Sequence, residues 1–284
     1  IGIITNGINF EQGQEQVIKC DDICRLQNIP FNVMVSLDGI GEVHDKNRGT
    51  PHNFDSASRL IECFNQAGIA TTFACTITKE NAPFVDELLE YAMDNNLYGR
   101  FRIAEFINRL NNQSQADVIR NFDQKTSYHL GLFFFRLQME YEKNPNILKT
   151  YKNIQDMISK NSKRSTGCPY QKNAVVLSSN GDLLYCSPHS PVIGNTLSQS
   201  ASKIYFSNTG IRKRIKQTSC KHCIHDYHEP LNISDLIKPK LSQQRRKKYS
   251  LDLLLGAKNR DSTPFPSDYL FTNPPSRSLI VGWY

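Results

Sequence analysis

The chain has 284 residues and a formal net charge of +7, from 34 Lys and Arg against 27 Asp and Glu. That length buries at least one large core and accommodates two domains, and the mild basic excess weakly favours acidic partners. Eight cysteines in 284 residues are too dilute for a disulfide scaffold, and no run reaches the roughly 18 apolar residues of a membrane-spanning helix.

The first hundred residues alternate strand and helix patterns. Ile1 to Thr5 reads as a strand, 11 to 26 as a helix, and Phe31 to Ser36 as a strand ending at Leu37-Asp38-Gly39. Phe54 to Ala67 reads as a helix closed by Gly68, and Thr71 to Thr78 as a strand rich in β-branched residues. Ala82 to Asp94 is a helix with Pro83 in its first turn, and Arg100 to Phe106 a further strand. Alternation of this kind implies crossover connections and a parallel sheet, whose active residues gather at the C-terminal ends of the strands. Those ends are Thr5-Asn6-Gly7, Ser36 to Gly39, Thr76 to Thr78 and Glu105 to Asn108.

Residues 108 to 121 read as a polar loop or lid, and Tyr128 to Tyr141 and Tyr151 to Ser159 as helices. A different texture follows. Ala174 to Ser178 and Asp182 to Tyr185 form a hairpin through Asn180-Gly181. Ile204 to Lys216 is one helix with a break at Gly210. Residues 229 to 277 read as a linker with one short helix near 248 to 255; its basic run Lys238 to Lys248 lacks an aromatic platform, which argues against nucleic acid. Without an initiator methionine, and with an apolar strand pattern at each end, the chain is expected to be the interior of a longer protein. No secretory signal pattern opens it, and a cytoplasmic location is expected.

The chemistry concentrates in Cys168, Cys186, Cys220 and Cys223. They stand in turn-like polar surroundings, unlike Cys63 and Cys75, which fit apolar packing. Four thiolates select zinc or an iron–sulfur cluster. A zinc ribbon usually shows two short pairs, whereas here only Cys220-x-x-Cys223 is short and Cys168 and Cys186 are 18 residues apart. His222, His225 and His228 read as flanking residues. Cys20 and Cys24 begin a Cys-x-x-x-Cys pattern, but position 27 is Gln27 and the pair shares a helix face, so both read as packing cysteines.

Four stretches together resemble the radical S-adenosylmethionine (SAM) enzymes with a C-terminal auxiliary-cluster domain of the SPASM/twitch type. Thr5-Asn6-Gly7 resembles the end of the third barrel strand. Ser36-Leu37-Asp38-Gly39, His44-Asp45, Arg48-Gly49 and Phe54 resemble the fourth strand and its loop. Cys168, twelve residues, Gly181, four residues and Cys186 resemble the opening of the auxiliary domain, and Cys220-x-x-Cys223 follows.

The resemblance covers residues 1 to about 230 and implies an α/β fold: a partial (β/α)6 barrel lacking its first strands, then a small auxiliary domain. It divides the chain into a barrel at 1–160, a cluster domain at 161–230, a linker at 231–277 and the start of a further domain at 278–284, where Gly282-Trp283-Tyr284 resembles the opening of a polysaccharide pyruvyl transferase-like domain.

The resemblance also implies roles. Ser36 would bond the ribose or carboxylate of SAM, Asp38 would support that loop or reach the ribose, and Arg48 would pair with the SAM carboxylate. Thr76 and Thr78 would lie near the adenosyl group, and Asn6 is a further cofactor-binding position. The four cysteines would hold one auxiliary [4Fe-4S] cluster, since position 229 is Glu229 and no cysteine follows Cys223. An apolar shell of Leu183, Leu184, Val192 and Ile193 would tune it. A 5′-deoxyadenosyl radical would abstract hydrogen from a peptide or sugar-type substrate, with electrons from flavodoxin or ferredoxin. The initiating Cys-x-x-x-Cys-x-x-Cys is missing here. Its cluster is therefore expected only in a full-length parent, and this chain alone would be inactive. The rival readings are a non-catalytic zinc-ribbon protein and a degenerate radical SAM scaffold.

Overall fold

A computed structural model describes residues 1–107 and 112–229. The expected linker, its short helix, the basic run from Lys238 to Lys248 and the terminal strand lie outside the described residues.

Four strands, β1 (Gly2–Thr5), β2 (Asn32–Ser36), β3 (Thr71–Ile77) and β4 (Gly99–Ile103), form a sheet in chain order. All three pairings are parallel. The crossovers carry α1 (Phe10–Leu26), the short α2 (Glu42–Arg48) with α3 (Asn53–Gln66), and α4 (Val85–Asp94). This is the expected open segment of a (β/α) barrel.

Alternate side chains point to opposite faces of a strand. Val33, Val35, Phe73, Cys75, Ile77, Phe101 and Ile103 form the buried face. They share one core with Leu60 and Phe64 of α3 and Leu88 of α4. The opposite face carries Met34, Ser36, Thr72, Thr76, Arg100 and Arg102. A parallel sheet covered on both faces reads as continuous apolar runs; these polar alternations leave one face for chemistry.

β4 is an edge strand, and two buried tyrosines satisfy its free side. Tyr141 Oη accepts the Gly99 N–H at 2.6 Å and donates to the Leu97 carbonyl at 2.9 Å. Tyr151 Oη accepts the Phe101 N–H at 3.1 Å. Burial raises the pKa of both phenols, so they stay neutral. The tyrosines come from helices packed behind the strand. After a single turn, α5 (Ala116–Ile119), α6 (Gln124–Arg136) runs into a π turn ending at Tyr141, and α7 (Pro145–Lys160) carries Tyr151. β4 is shorter than its sequence pattern: it ends at Ile103, and the Ala104 N–H still donates to the Ile77 carbonyl of β3 at 2.8 Å. Gly99 is required at its start, since a Cβ there would lie 2.2 Å from Phe73 Cδ1.

The second sheet is antiparallel and small: β5 (Val176–Leu177), β6 (Asp182–Leu184) and β7 (Val192–Asn195). The Asn180-Gly181 hairpin forms as expected, with Gly181 at φ +87°. β7 is an addition to the sequence reading. Leu183, Tyr185, Cys186, Ile193, Ile204 and Ile215 form this module's own core. Val192, expected in the apolar shell, is instead 51% exposed on β7.

The expected helix over 204 to 216 is two helices, α8 (Ala201–Ser207) and α9 (Thr209–Thr218). The break falls at Asn208, because its Nδ2 donates to the carbonyls of Ile204 and Ile193 and ends α8 there. Gly210 sits uncrowded in the first turn of α9.

Candidate functional site

The polar rim at the C-terminal ends of the strands centres on Asp38, which is 3% exposed. Its Oδ1 accepts the Thr76 N–H at 2.7 Å, and Oδ2 accepts Asn47 Nδ2 at 2.8 Å. Arg48 Nε lies 2.7 Å from the same Oδ2, as an ion pair without the alignment of a hydrogen bond. Asn81 Nδ2 donates to the carbonyls of Asp38 and Thr76, while its Oδ1 accepts the Thr78 N–H at 2.7 Å. Thr78 Oγ1 donates to Asn47 Oδ1 at 2.9 Å. The β2 and β3 rims are therefore stitched into one surface.

A second chain of bonds reaches β1. Asp38 N–H donates to His44 Nδ1 at 2.9 Å, so the ring proton sits on Nε2, which faces Asn53 Oδ1 at 3.0 Å. Asn53 Nδ2 donates to the Asn6 carbonyl at 3.1 Å. Burial pushes the His44 pKa down against the pull of Asp38, consistent with a neutral imidazole. Asp45 accepts the N–H groups of His52 and Phe54, which caps α3. Phe54 packs edge-on against His44 at 6.2 Å.

The structure thus gathers Asn6, Asp38, Arg48, Thr76 and Thr78 at one rim, with Ser36 beside them on the polar face of β2. Asp38's carboxylate is committed to protein donors. Arg48 engages it through Nε alone; among the described residues nothing hydrogen-bonds its two Nη nitrogens, and the side chain is 24% exposed. A planar pair of free donors suits a carboxylate. Sequence reasoning missed Asn47, Asn53 and Asn81, which are ordinary polar residues until the fold buries Asn53 and Asn81 and half-buries Asn47.

The four candidate cysteines line one small cavity of about 30 Å³ that opens to solvent. Each comes from a turn that follows or precedes a regular element, and all are free thiols. No three Cys, His, Asp or Glu among the described residues converge closely enough for a single ion; tetrahedral zinc needs its thiolates about 4 Å from one another. A cluster spreads its ligands around a larger body.

Main-chain N–H groups face the sulfurs: Tyr170 and Gln171 at Cys168, His189 and Ser190 at Cys186, and His225 at Cys223. Burial outweighs them, pushing Cys168 up, Cys186 to about 11 and Cys223 to about 12. Any metal bound here must displace protons. No carboxylate among the described residues lines the cavity, whereas Arg164, Arg212 and Lys216 do. An anionic occupant fits that lining.

Arg164 holds the cavity's two halves together. Its Nε donates to the Thr166 carbonyl and its Nη2 to that of Gly167, just before Cys168. Nη1 donates to the carbonyls of Cys223 at 3.1 Å and His225 at 2.7 Å, and Nη2 also reaches Tyr227. Its own N–H donates to the Lys221 carbonyl at 2.8 Å.

The cysteine module is anchored to the barrel. Ile224 belongs to the main core although its neighbour Cys223 opens on the cavity. Arg100 of β4 pairs with buried Asp226 Oδ2 at 2.9 Å. His225 is buried and stacks on Tyr227 at 3.7 Å, while His222 is exposed. Neither lines the cavity; His189 does.

No protein-family model matches the chain. Among curated proteins it is 27% identical over 90 residues to sporulation killing factor maturation protein SkfB of Bacillus subtilis (strain 168), covering 32% of this chain and 20% of that protein. It is 35% identical over 57 residues to an AdoMet-dependent heme synthase of Oleidesulfovibrio alaskensis, covering 20% of this chain and 15% of that protein. The matched stretches thus span a fifth or less of these relatives. Among solved structures, native anSMEcpe with bound AdoMet aligns at a TM-score of 0.48 and 15% identity, over 90% of this chain and 74% of that one. Native anSMEcpe with bound AdoMet and Kp18Cys peptide aligns at 0.47 and 16% identity, over 78% and 60%. Among the described residues, no helix is long and apolar enough to cross a membrane.

Proposed function

We propose that the chain is the later part of a radical SAM enzyme, joining the last four strands of the barrel to an auxiliary [4Fe-4S] module. The observation that carries the reading is the meeting of Cys168, Cys186, Cys220 and Cys223 around one cavity lined by cations and free of carboxylates among the described residues. Sequence likeness to an AdoMet-dependent protein supports SAM as the co-substrate.

In this reading Arg48 presents its free Nη donors to the SAM carboxylate, and Ser36 lies beside it on the polar face. Asp38 acts indirectly, by holding Arg48, Asn47 and the Thr76 amide in place. His44 and Asn53 keep the β1 and β2 rims in register, and Thr76 and Thr78 border the adenosyl side. Cys168, Cys186, Cys220 and Cys223 would hold the cluster, which when bound supplies one-electron transfer. Four protein ligands leave its irons no open position, so the substrate binds elsewhere on the polar face. The radical-initiating Cys-x-x-x-Cys-x-x-Cys, absent from these 284 residues, would come from the parent protein. A peptide or sugar-type substrate and a small electron-donor protein complete the proposal.

Anaerobic reconstitution with ferrous iron and sulfide tests it. About four irons and four sulfides per chain, with the broad visible absorption of a cluster, are expected. One bound zinc and no colour would favour the zinc-ribbon reading and end this one.

A further inference from the structure

From Leu183 to His225 the sequence contains six Lys or Arg and no Asp or Glu. One of these cations, Arg212 of α9, lines the cysteine cavity. Its guanidinium carbon lies 5.7 Å from the Tyr185 ring centroid and 5.2 Å from that of Tyr205. Nη1 donates to the Tyr205 hydroxyl. Tyr205 Oη in turn donates to the Lys172 carbonyl at 2.9 Å, and Tyr185 Oη donates to the Tyr205 carbonyl. Two anchored rings therefore fix the guanidinium. Nε and Nη2 are buried and have no hydrogen-bond partner among the described residues. Buried donors left unpaired are rare and costly, most of all on a charged group.

We infer that Arg212 is a positioning residue for the cavity's occupant, with Nε–H and Nη2–H donating to the thiolate or sulfide sulfurs of a four-cysteine cluster and its charge raising the cluster's reduction potential. The inference rests on the cluster reading above. Its physical basis is charge. Four thiolates around an oxidised cubane core make a dianion, and taking up one electron makes a trianion. A fixed cation stabilises the trianion more, so the potential rises, and hydrogen bonds to sulfur act in the same direction. Arg164 also borders the cavity, but its donors are spent on main-chain carbonyls, so its removal would disturb the fold. Arg212's two free donors make its effect on the occupant separable from its packing.

The test reconstitutes the whole chain anaerobically with ferrous iron and sulfide, for the wild type, Arg212→Gln and Arg212→Lys. Iron and sulfide content, near-UV circular dichroism and an EPR-monitored dithionite titration are measured on each. Arg212→Gln is expected to move the midpoint potential to more negative values, and Arg212→Lys, which keeps the charge without the fork, to move it part of the way. A full cluster complement with unshifted midpoints in both variants overturns the role of Arg212 and leaves the cluster reading standing. Should Arg212→Gln not fold, Arg212→Lys decides alone: a shift supports the inference and none overturns it. A wild-type chain that takes up no iron or sulfide overturns the cluster reading, and this inference with it.

Discussion

Glu105, at the C-terminal end of β4, accepts the backbone N–H of Ile224 on Oε2 at 3.1 Å. Its other oxygen accepts Arg120 Nη1 at 2.8 Å. One carboxylate therefore joins the barrel rim to the turn that presents Cys223. Burial pushes its pKa up, with Arg120 opposing. Glu105→Ala leaves a buried amide without its acceptor and frees Arg120, so a loss of about 2–3 kcal/mol is expected in urea denaturation. Hydrogen exchange should accelerate first at residues 223 to 226. Unchanged exchange there would break the link between rim and cysteine turn.

Asp38→Ala removes the acceptor of Asn47, the Thr76 amide and the Arg48 ion pair. Breaking a buried pair from one side costs about 3–5 kcal/mol, and Asp38→Ala should approach the lower figure because Arg48 is partly exposed. Arg48→Met, which removes the more exposed member, should cost less. Equal losses for the two substitutions, measured by guanidinium unfolding, would contradict the central place given to Asp38.

Arg164→Lys keeps the charge and loses the fork. The carbonyls of Thr166, Gly167, Cys223, His225 and Tyr227 cannot all be reached by one ammonium. A loss of about 2–3 kcal/mol, one or two charge-assisted hydrogen bonds, is expected in thermal unfolding. Reconstituted iron should fall by more than half. Full iron uptake by this variant would show that the two cysteine-bearing turns hold their positions without the clamp.

Asp226 supplies a pH signature. Burial would raise its pKa, but Arg100 and Arg102, helped by His225, hold it well below the ordinary range. A carboxyl whose folded pKa is depressed contributes stability above its unfolded value of about 3.9, and that contribution drains away as the pH falls below it. Asp226→Asn should therefore be less stable than the wild type at pH 6 and close the gap below about pH 4. Parallel stability–pH curves would exclude this source.

Tyr151→Phe tests the capped edge of β4. The Phe101 N–H would lose its acceptor while the ring volume stays nearly constant, so a destabilisation of about 1–3 kcal/mol is expected. The amide of Phe101 should exchange faster in two-dimensional NMR. Protection equal to the wild type would mean another group takes over the bond.

The parallel sheet is legible in the sequence because β-branched runs and helical periods alternate with short connections. The seven-residue α2 is not, because Glu42 to Arg48 holds a single apolar residue, Val43, and gains its helix from tertiary bonds through His44, Asp45 and Arg48. β7 escapes for a similar reason: Val192 to Asn195 pairs only once β6 exists beside it. The cysteines are legible because four thiols in polar turns have few structural uses. Arg164 and Arg212 are not, since an arginine near a basic helix reads as solvated until its donors are traced. Arg48 carries its motif in sequence, whereas the asparagines that orient its surroundings carry none.

Ile224 gives the cysteine module a dependence that its small size conceals. The residue is a plug in the main core while the residue one position earlier lines the cysteine cavity, so one peptide unit serves two bodies at once. Cutting the chain near residue 160 to obtain a free-standing metal-binding piece would expose that plug to water and unmoor the Cys220–Cys223 turn. A transplant of the module into another scaffold would need a matching socket as well as the four thiols.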